Sequence, residues 1–287
     1  METMRDIQIR MKSIESTRQI TETMRLISNR KVQKIKKRME DNRPYYERAV
    51  KIIGDAALGA RQNPDIRDHA YMAGHGSETK KPLVIVVTAD RGLCGGYNSN
   101  ALKEAAALMK NFGEATVFAI GTKGRDYFKR RKINIGAYYK GMSENPFFED
   151  AQSISGAAVK MFAERDADAV YLVYTEYNTM LSQTPASVRL LPLDTGGADV
   201  GGGGDCDPGE AEFFEYAVSA YVTARLFGGM LSSAVSEQCA RLTGMDSAVK
   251  NSEKIIDSLK LRYNQMRQGA ITQEIAEIVG GANAVGK

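Results

Sequence analysis

The sequence contains no tryptophan, only two histidines and only three cysteines among its 287 residues. The cysteines, Cys94, Cys206 and Cys239, are odd in number and lack paired spacing, which argues against a disulfide framework and favours a reducing compartment. No apolar run approaches membrane-spanning length, and the N-terminus lacks the apolar core of a secretory signal. We therefore expect a soluble protein with no transmembrane segment of its own.

Catalytic motifs are also missing. The sequence shows no nucleophile elbow, no His-Glu-x-x-His and no convincing carboxylate pair, and His69 and His75 stand on a loop without ligand-spaced partners. A glycine-rich turn, Asp90 to Asn98, follows an apolar segment where α/β folds place phosphates, but it matches neither the dinucleotide fingerprint nor a P-loop. We expect no catalytic residue, no metal and no cofactor.

The end of the chain carries a long heptad pattern. Every third or fourth residue from Phe214 to Ala270 is apolar except Gly228, Gln238 and Ser252, over roughly seven repeats. The capping signals near residue 210 and the lack of later prolines predict one helix from Glu210 to Val279, bound along one seam to another helix. After Ala270 the apolar positions shift to Ile271, Ile275 and Ile278, which places Arg267 and Gln268 at the junction.

A second long helix is predicted at the start of the chain, over residues 1–59. Its apolar residues have helical spacing with two shifts of phase, the middle group being Ile20, Met24 and Ile27. Pro44 is expected to bend or break it. The two terminal helices should form an antiparallel pair, and because the first is shorter, roughly 30 Å of the last helix should extend beyond its partner.

The first helix carries the basic character of the chain. The net charge is +4, but the first 51 residues hold twice as many Lys and Arg as Asp and Glu. Five basic residues fall on one helical stripe opposite Val32, Ile35 and Met39. They are Arg30, Lys31, Lys34, Lys37 and Arg38. The stripe is either a solvated face that keeps the helix soluble or a face for an acidic partner.

The middle of the chain alternates short β-branched segments with helical ones, which predicts βαβ units and a Rossmann-like α/β domain with a mainly parallel sheet. The expected fold class is therefore α/β, with a long antiparallel coiled coil of the two terminal helices. The expected order is a helix over 1–59, a linker over 60–81, the α/β domain over 82–195, a glycine-rich connection over 196–209 containing Gly201 to Gly204, and a helix over 210–287.

Four segments, taken together, carry a resemblance to a known family. They are Ile14 to Met24, the Thr88 to Asn98 turn, Ser236 to Met245, and Tyr263 to Ala282 with Ile271-Thr-Gln-Glu and Ile278-Val-Gly-Gly-Ala. In this order they resemble the gamma subunit of the F-type ATP synthase over nearly the whole chain. The glycine-rich segment, with Asp205, Cys206 and Asp207, departs from the aromatic, acidic strand usual in that family.

The resemblance implies a non-catalytic rotor shaft inside a ring of alpha and beta subunits, with the α/β domain against the membrane ring of c subunits and with the epsilon subunit as a further partner. Such a complex lies peripherally on the cytoplasmic face of a bacterial inner membrane, and its nucleotide sites belong to the partners. The residues implied as contacts with the catalytic ring are Met24, Arg91, Cys94, Arg267, Gln268 and Thr272.

Two other classes of function stay open at this point. A coiled-coil protein could bind nucleic acid through the basic stripe, although the remainder of the chain is acidic and has no aromatic stacking motif. A nucleotide-dependent α/β enzyme would need phosphate-binding motifs that the sequence lacks.

Overall fold

A computed structural model describes residues 3–60, 69–75, 79–193 and 211–285, without the side chains of 54–60, 211–213 and 280–285. The expected glycine-rich connection, with Gly201 to Gly204 and Cys206, lies outside the described residues. So do residues 61–68 and 76–78 of the expected linker, and Gly286 and Lys287 at the end of the chain.

Two long helices enclose an alternating series of strands and shorter helices in the chain order. The elements are α1 (Met4–Ala60), α2 (Ala70–Ala73), β1 (Pro82–Val87), α3 (Tyr97–Met109), β2 (Thr116–Ile120), α4 (Thr122–Arg130), β3 (Asn134–Tyr139), α5 (Phe148–Ala163), β4 (Ala169–Tyr177), β5 (Gln183–Leu191) and α6 (Ala211–Val285). The expected fold class, with long terminal helices around a central α/β domain, is confirmed.

The five strands form one sheet in the order β3-β2-β1-β4-β5. The first three pairings are parallel, and β5 returns antiparallel beside β4 through a short hairpin. Strand β1 is central and fully buried, which explains its continuous apolar sequence. Pro185 lies in the edge strand β5, where the loss of an N–H donor is tolerated. The sheet is mainly parallel, as expected.

Alternate residues of β1 point to opposite faces of the sheet and enter two separate cores. Val84 and Val86 pack with Leu102 of α3 and Phe128 of α4. On the other face, the larger core joins the sheet to α5, α6 and α1. This second core contains Leu83, Ile85, Phe162, Leu226, Met230, Val32 and Ile35. Helix α6 is therefore part of the α/β core over much of its length.

The chain divides into two compact units, one of residues 28–241 and one of residues 1–27 together with 242–287. The sequence placed the boundaries at the helix ends, near residues 59 and 210. The difference arises because most residues of α6 from Ala217 to Arg241 are buried, not only those along one seam. Residues 28–241 are called the α/β unit below, and residues 1–27 with 242–285 the shaft unit.

Within the shaft unit the two helices are antiparallel, as expected. Gln8 Nε2 donates to Tyr263 Oη at 2.9 Å, and an Arg18 terminal nitrogen lies 3.8 Å from Glu253 Oε1. Ten residues forward in α1 thus correspond to ten residues backward in α6. The α6 side of the seam follows the expected heptad, with Met245, Val249, Ile256 and Leu259 buried.

The α1 side of the seam differs from the expectation in its middle part. Ile20 and Ile27 are more than half exposed, and the inward heptad positions there are the partly buried Arg18, Thr21 and Arg25. The two arginines form bidentate hydrogen bonds with Glu15 and Glu22 one turn earlier. Their aliphatic stems can cover the seam while their charges stay paired, so the helix keeps one heptad phase and needs no shift. Its seam positions are Ile7, Met11, Ile14, Arg18, Thr21, Arg25, Ser28, Val32, Ile35 and Met39.

Helix α1 continues through Pro44 without interruption, so of the expected bend or break the break is wrong. A proline removes only one backbone donor, and side chains that follow this position hold the helix against the α/β core. The Tyr45 ring packs edge-on against Phe148, and the Tyr46 ring lies 5.3 Å from the Arg225 guanidinium. Ile53, about two turns after Tyr46, is also buried.

A buried ion pair anchors the glycine-rich turn to α6. Arg241 Nη2 lies 2.7 Å from Glu237 Oε1 and also donates to the Gly92 carbonyl at 3.3 Å. Both side chains are almost fully buried, and Glu237 Oε2 has no hydrogen-bond partner among the described residues. Burial raises the pKa of the Glu237 carboxyl, and Arg241 opposes that rise. The carboxylate therefore depends on Arg241 to remain charged.

The shaft seam predicts a contrast between two isoleucines in the same turn of α1. Ile7 is fully buried, whereas Ile9 is 60% exposed. We expect Ile7→Ala to destabilise the local helix pairing by about 2 kcal/mol or more, and Ile9→Ala by less than about 0.5 kcal/mol. Amide hydrogen exchange of residues 4–20 and 250–263 measures both. Equal exchange in the two variants would contradict the assigned seam.

The buried ion pair predicts a pH-dependent loss of stability in Arg241→Gln. Without Arg241, the folded-state pKa of Glu237 rises further above its unfolded value, so the unfolded chain releases its proton first as pH increases. The stability lost relative to the unaltered chain should therefore grow between about pH 5 and pH 8, reaching about 3 kcal/mol.

Lys250→Gln is the matched control. Lys250 pairs with Asp246 on the same helix with the same spacing and the same 2.7 Å separation, but this pair is exposed to solvent. The control should change stability by less than about 1 kcal/mol. Urea denaturation at three pH values measures both variants, and a pH-independent difference for Arg241→Gln would rule out a charged, buried Glu237.

Candidate functional site

The last part of α6 has no partner helix among the described residues. Helix α1 begins at Met4, and its contact with Tyr263 is close to the last one that its length allows. Beyond Tyr263, every residue to Val279 is exposed except the half-exposed Ala270. The expectation that the paired seam reaches Ala270 is therefore wrong. The extension itself, roughly 30 Å of helix, is as expected.

The three polar residues implied as contacts lie together on this extension. Arg267, Gln268 and Thr272 are all exposed. Thr272 Oγ1 donates to the Gln268 backbone carbonyl at 2.9 Å, so the Gln268 side-chain amide is not used by that bond. The structure thus places this group on an accessible helix surface.

An exposed apolar stripe follows directly. Ile271, Ile275 and Ile278 have helical spacing on one face, and Val279 adjoins them. All four are roughly half exposed or more. An exposed apolar stripe of this kind is typical of a protein interaction surface.

The outer face of α1 carries exposed apolar residues, and two of them, Ile20 and Ile27, were predicted from the sequence to lie in the seam. Ile9, Ile20 and Ile27 lie opposite the seam of the shaft unit, and all are more than half exposed. Met24 lies half-buried at the edge of the seam. If the heptad spacing had been continued through the polar residues Arg18, Thr21 and Arg25, the sequence would have predicted this outward face. The shaft unit therefore has apolar surface on both of its helices.

The glycine-rich turn is held by its own side chains. The Asp90 carboxylate accepts hydrogen bonds from the Thr122 amide and hydroxyl, the Gly141 amide and the Ser143 hydroxyl. Asn98 Oδ1 accepts from the Ala89 amide at 2.9 Å. These polar groups are already bonded within the chain, so the turn is braced rather than arranged around a phosphate.

The two residues of this turn that were implied as contacts have different surroundings. Arg91 is exposed, whereas Cys94 is buried and its Sγ accepts a hydrogen bond from Asn98 Nδ2 at 3.1 Å. Burial raises the pKa of the Cys94 thiol. Its side chain therefore cannot serve as a partner contact, and it fills the turn as a small residue would. Leu93, which the sequence analysis missed, is 64% exposed beside Arg91.

The basic stripe is divided between two roles. Lys31 forms an ion pair with Glu144, and Arg38 donates to Asn145 Oδ1 and to the Pro146 carbonyl. These two residues bind the loop before α5 rather than facing a partner. Arg30, Lys34 and Lys37 remain exposed. The basic surface is thus smaller than the sequence suggests, because the spacing of the stripe could not reveal the loop beside it.

None of the described residues forms a metal-ligating cluster of three or more His, Cys, Asp or Glu. His75 Nε2 lies 2.7 Å from the Phe162 carbonyl, and His69 accepts from the Tyr71 amide at the start of α2. None of the described helices combines the length and apolar character that a membrane crossing needs.

Comparison with solved structures gives the fold. A central-stalk chain of the Tetrahymena thermophila mitochondrial ATP synthase is similar with a TM-score of 0.61 and 19% identity, covering 80% of this chain and 99% of that one. A rotor chain of the Euglena gracilis mitochondrial ATP synthase is similar with a TM-score of 0.63 and 15% identity, covering 93% and 98%.

Comparison of sequences gives the family. A family profile described as ATP synthase matches residues 3–285. The ATP synthase gamma chain of Alkaliphilus metalliredigens is 38% identical over 290 residues, 98% of each chain. The sodium ion specific gamma chain of Acetobacterium woodii is 34% identical over 305 residues, 99% of each chain. The chain belongs to the gamma chain family of the F-type ATP synthase.

Proposed function

We propose that this chain is the central-stalk rotor subunit of an F-type ATP synthase and mechanically couples ion flow through a membrane rotor ring to ATP synthesis or hydrolysis on catalytic subunits. The observation that carries the proposal is the whole-length match to gamma chains, together with a helix pair whose longer member ends in exposed apolar surface. The nucleic-acid-binding alternative finds no support in the comparisons, and its basic stripe is partly used within the chain.

The proposed contacts with the ring of alpha and beta subunits lie on the shaft unit. The stripe of Ile271, Ile275 and Ile278 would bury its apolar surface against the ring, and Arg267 and Gln268 would bind polar groups there. Arginine suits this role because its guanidinium presents a planar set of donors to a carboxylate. Thr272 and Met24 lie on the same unit, although Met24 is only half exposed.

On the α/β unit, Arg91 is the proposed contact with an acidic loop of a catalytic subunit. The turn that carries it is braced by Asp90 and by the Arg241 bond to Gly92, so its position is fixed before any partner binds. Preorganised contacts lose less conformational entropy on binding. The exposed Leu93 belongs to this proposed contact together with Arg91, whereas the buried side chain of Cys94 does not. Arg30, Lys34 and Lys37 supply the exposed remainder of the basic stripe.

The α/β unit would transmit torque from a ring of c subunits, with an epsilon subunit as a further partner, at the cytoplasmic face of a bacterial inner membrane. The contacts of the chain would bias each catalytic subunit toward one of several nucleotide affinities, which is coupling between conformational states of different subunits. The chain itself would carry no catalytic residue.

The isolated chain should therefore not hydrolyse ATP, whereas the complex should need it for coupled turnover. The reason is the absence, among the described residues, of a phosphate cradle or a metal-ligating cluster. A phosphate-release assay on the pure chain, and on the complex with and without it, measures both expectations. Hydrolysis by the chain alone, with catalytic subunits excluded by mass spectrometry, would contradict the proposal.

Replacing Arg267 and Gln268 together by Ala should lower complex yield or the ATPase rate about 10-fold, because charge-assisted hydrogen bonds to the ring would be lost. The fold of the chain should persist, since both residues are exposed and alanine favours helix. Sedimentation of the complex, its ATPase rate and circular dichroism of the free chain provide the measurements.

Asn251→Ala with Lys254→Ala is the matched control for this pair. It also removes one amide and one cation from exposed positions of α6, but in the part paired with α1. It should leave yield and rate within about 2-fold of the unaltered complex. The assignment fails if the two double variants behave alike.

A further inference from the structure

The α/β unit contains an open cleft of about 710 Å³ that the proposed function does not use. Its walls are α1 around Tyr46, the end of β4 around Tyr174, and α6 from Ala224 to Ser232. A volume of ~300 to 1,000 Å³ is typical of sites for small organic molecules. The cleft is therefore large enough to enclose such a ligand.

Arg225 lines this cleft without an anionic partner among the described residues. Its Nε–H is buried and donates to no acceptor among the described residues, and its guanidinium carbon lies 5.3 Å from the centre of the Tyr46 ring. Burial lowers the pKa of Arg225, and no neighbouring carboxylate opposes that effect. A half-buried, unpaired guanidinium is unusual because a charge removed from water is normally paired.

The other charged groups of the cleft are already paired or exposed. Lys36 lies 3.7 Å from Glu40, and Arg43 lies 2.7 Å from Glu47, both as neighbours one turn apart on the surface of α1. Glu176, the remaining carboxylate, is exposed on β4. Arg225 is therefore the one cation of the cleft, as described, that is desolvated and lacks an anion.

The remaining walls are flat and largely apolar. Tyr46, Tyr174 and Phe227 supply aromatic surface, and Met39 contributes a flexible thioether. Gly228 lets the Tyr46 ring lie close to α6, since a Cβ at this position would be 3.5 Å from the ring. Aromatic walls around one guanidinium favour a planar ligand that carries a single negative charge.

We propose that this cleft binds a small organic anion, with a carboxylate or phosphate at Arg225 and a planar apolar body between Tyr46 and Tyr174. The anion would accept hydrogen bonds from the terminal nitrogens of the guanidinium, since Nε is enclosed. The Tyr46 ring, which already faces Arg225, would hold the guanidinium in place during binding. The inference does not depend on the proposed rotor function.

The test uses the full chain and two probes of nearly the same shape, 2-naphthoate and its neutral amide, 2-naphthamide. We expect naphthoate to bind with a Kd on the order of 1 mM or tighter, and naphthamide about 10-fold more weakly. Nuclear magnetic resonance titration measures both affinities and should shift amide signals of residues 224–232. Naphthyl phosphate in place of naphthoate compares the two anionic groups.

Three variants locate the charge. Arg225→Gln should weaken naphthoate binding about 10-fold and leave naphthamide unchanged, while Arg225→Lys should retain part of the preference for the anion. Arg43→Gln, at an exposed arginine of the same cleft, is the matched control and should remain within about 2-fold of the unaltered chain. Circular dichroism melts establish that each variant is folded.

Equal affinity of the unaltered chain for naphthoate and naphthamide would overturn the proposal, as would signals that shift only outside the cleft. This comparison needs no variant, so it decides the question even if replacement of Arg225 unfolds the chain. If the chain binds naphthoate here but does not support coupled ATP turnover, the cleft stands and the rotor function fails. If the chain supports coupled ATP turnover but does not bind naphthoate in the cleft, the proposed anion site is rejected and the rotor function stands.

Discussion

The structure depends on how helix α6 is covered along its length. From Ala217 to Arg241 most of its residues are buried by the sheet, α5 and α1, and from Met245 to Tyr263 it is covered along one seam. Beyond Tyr263 its residues are exposed as far as Val279, apart from Ala270. Burial of apolar surface stabilises folded chains by ~25 cal/mol per Å², so the three parts of one continuous helix differ strongly in their share of stability. The covered part fixes the fold, and the uncovered part remains for interaction.

Much of this arrangement could be predicted from the sequence, because periodicity reports the side of an element that is buried. The heptad of α6 identified Met245, Val249 and Leu259 correctly, and the short β-branched segments identified strands of a mainly parallel sheet. The predicted seam of α1 was wrong in its middle part, because the prediction followed the apolar residues there and did not keep the heptad spacing. Arg18 and Arg25 occupy inward positions by pairing their charges with nearby carboxylates, and this displaces Ile20 to the outside. Hydrophobicity alone cannot distinguish such an arginine from a surface residue.

The candidate site was less predictable, because it depends on contacts between residues distant in sequence. From the sequence alone, Cys94 belongs to a turn that is expected to be exposed, and only the packing around it shows that it is buried. Lys31 likewise belongs to a basic stripe in the sequence, and only the structure shows its ion pair with Glu144. The surroundings of Arg225 could not be predicted either, because the heptad pattern indicates only that this residue follows the apolar position Ala224. Burial without a counter-ion is a property of the assembled α/β unit, and no local pattern of residues announces it.

The exposed stripe of Ile271, Ile275 and Ile278 has a consequence for how a cell makes this chain. If the cell makes more of this chain than of the partners that cover the stripe, the excess chains keep this apolar surface exposed. Such chains can associate with other exposed apolar surfaces and be degraded. Production of this chain and of its covering partners must then be matched in amount and in time. A helix that ends in exposed apolar residues thus links the abundance of one gene product to that of others.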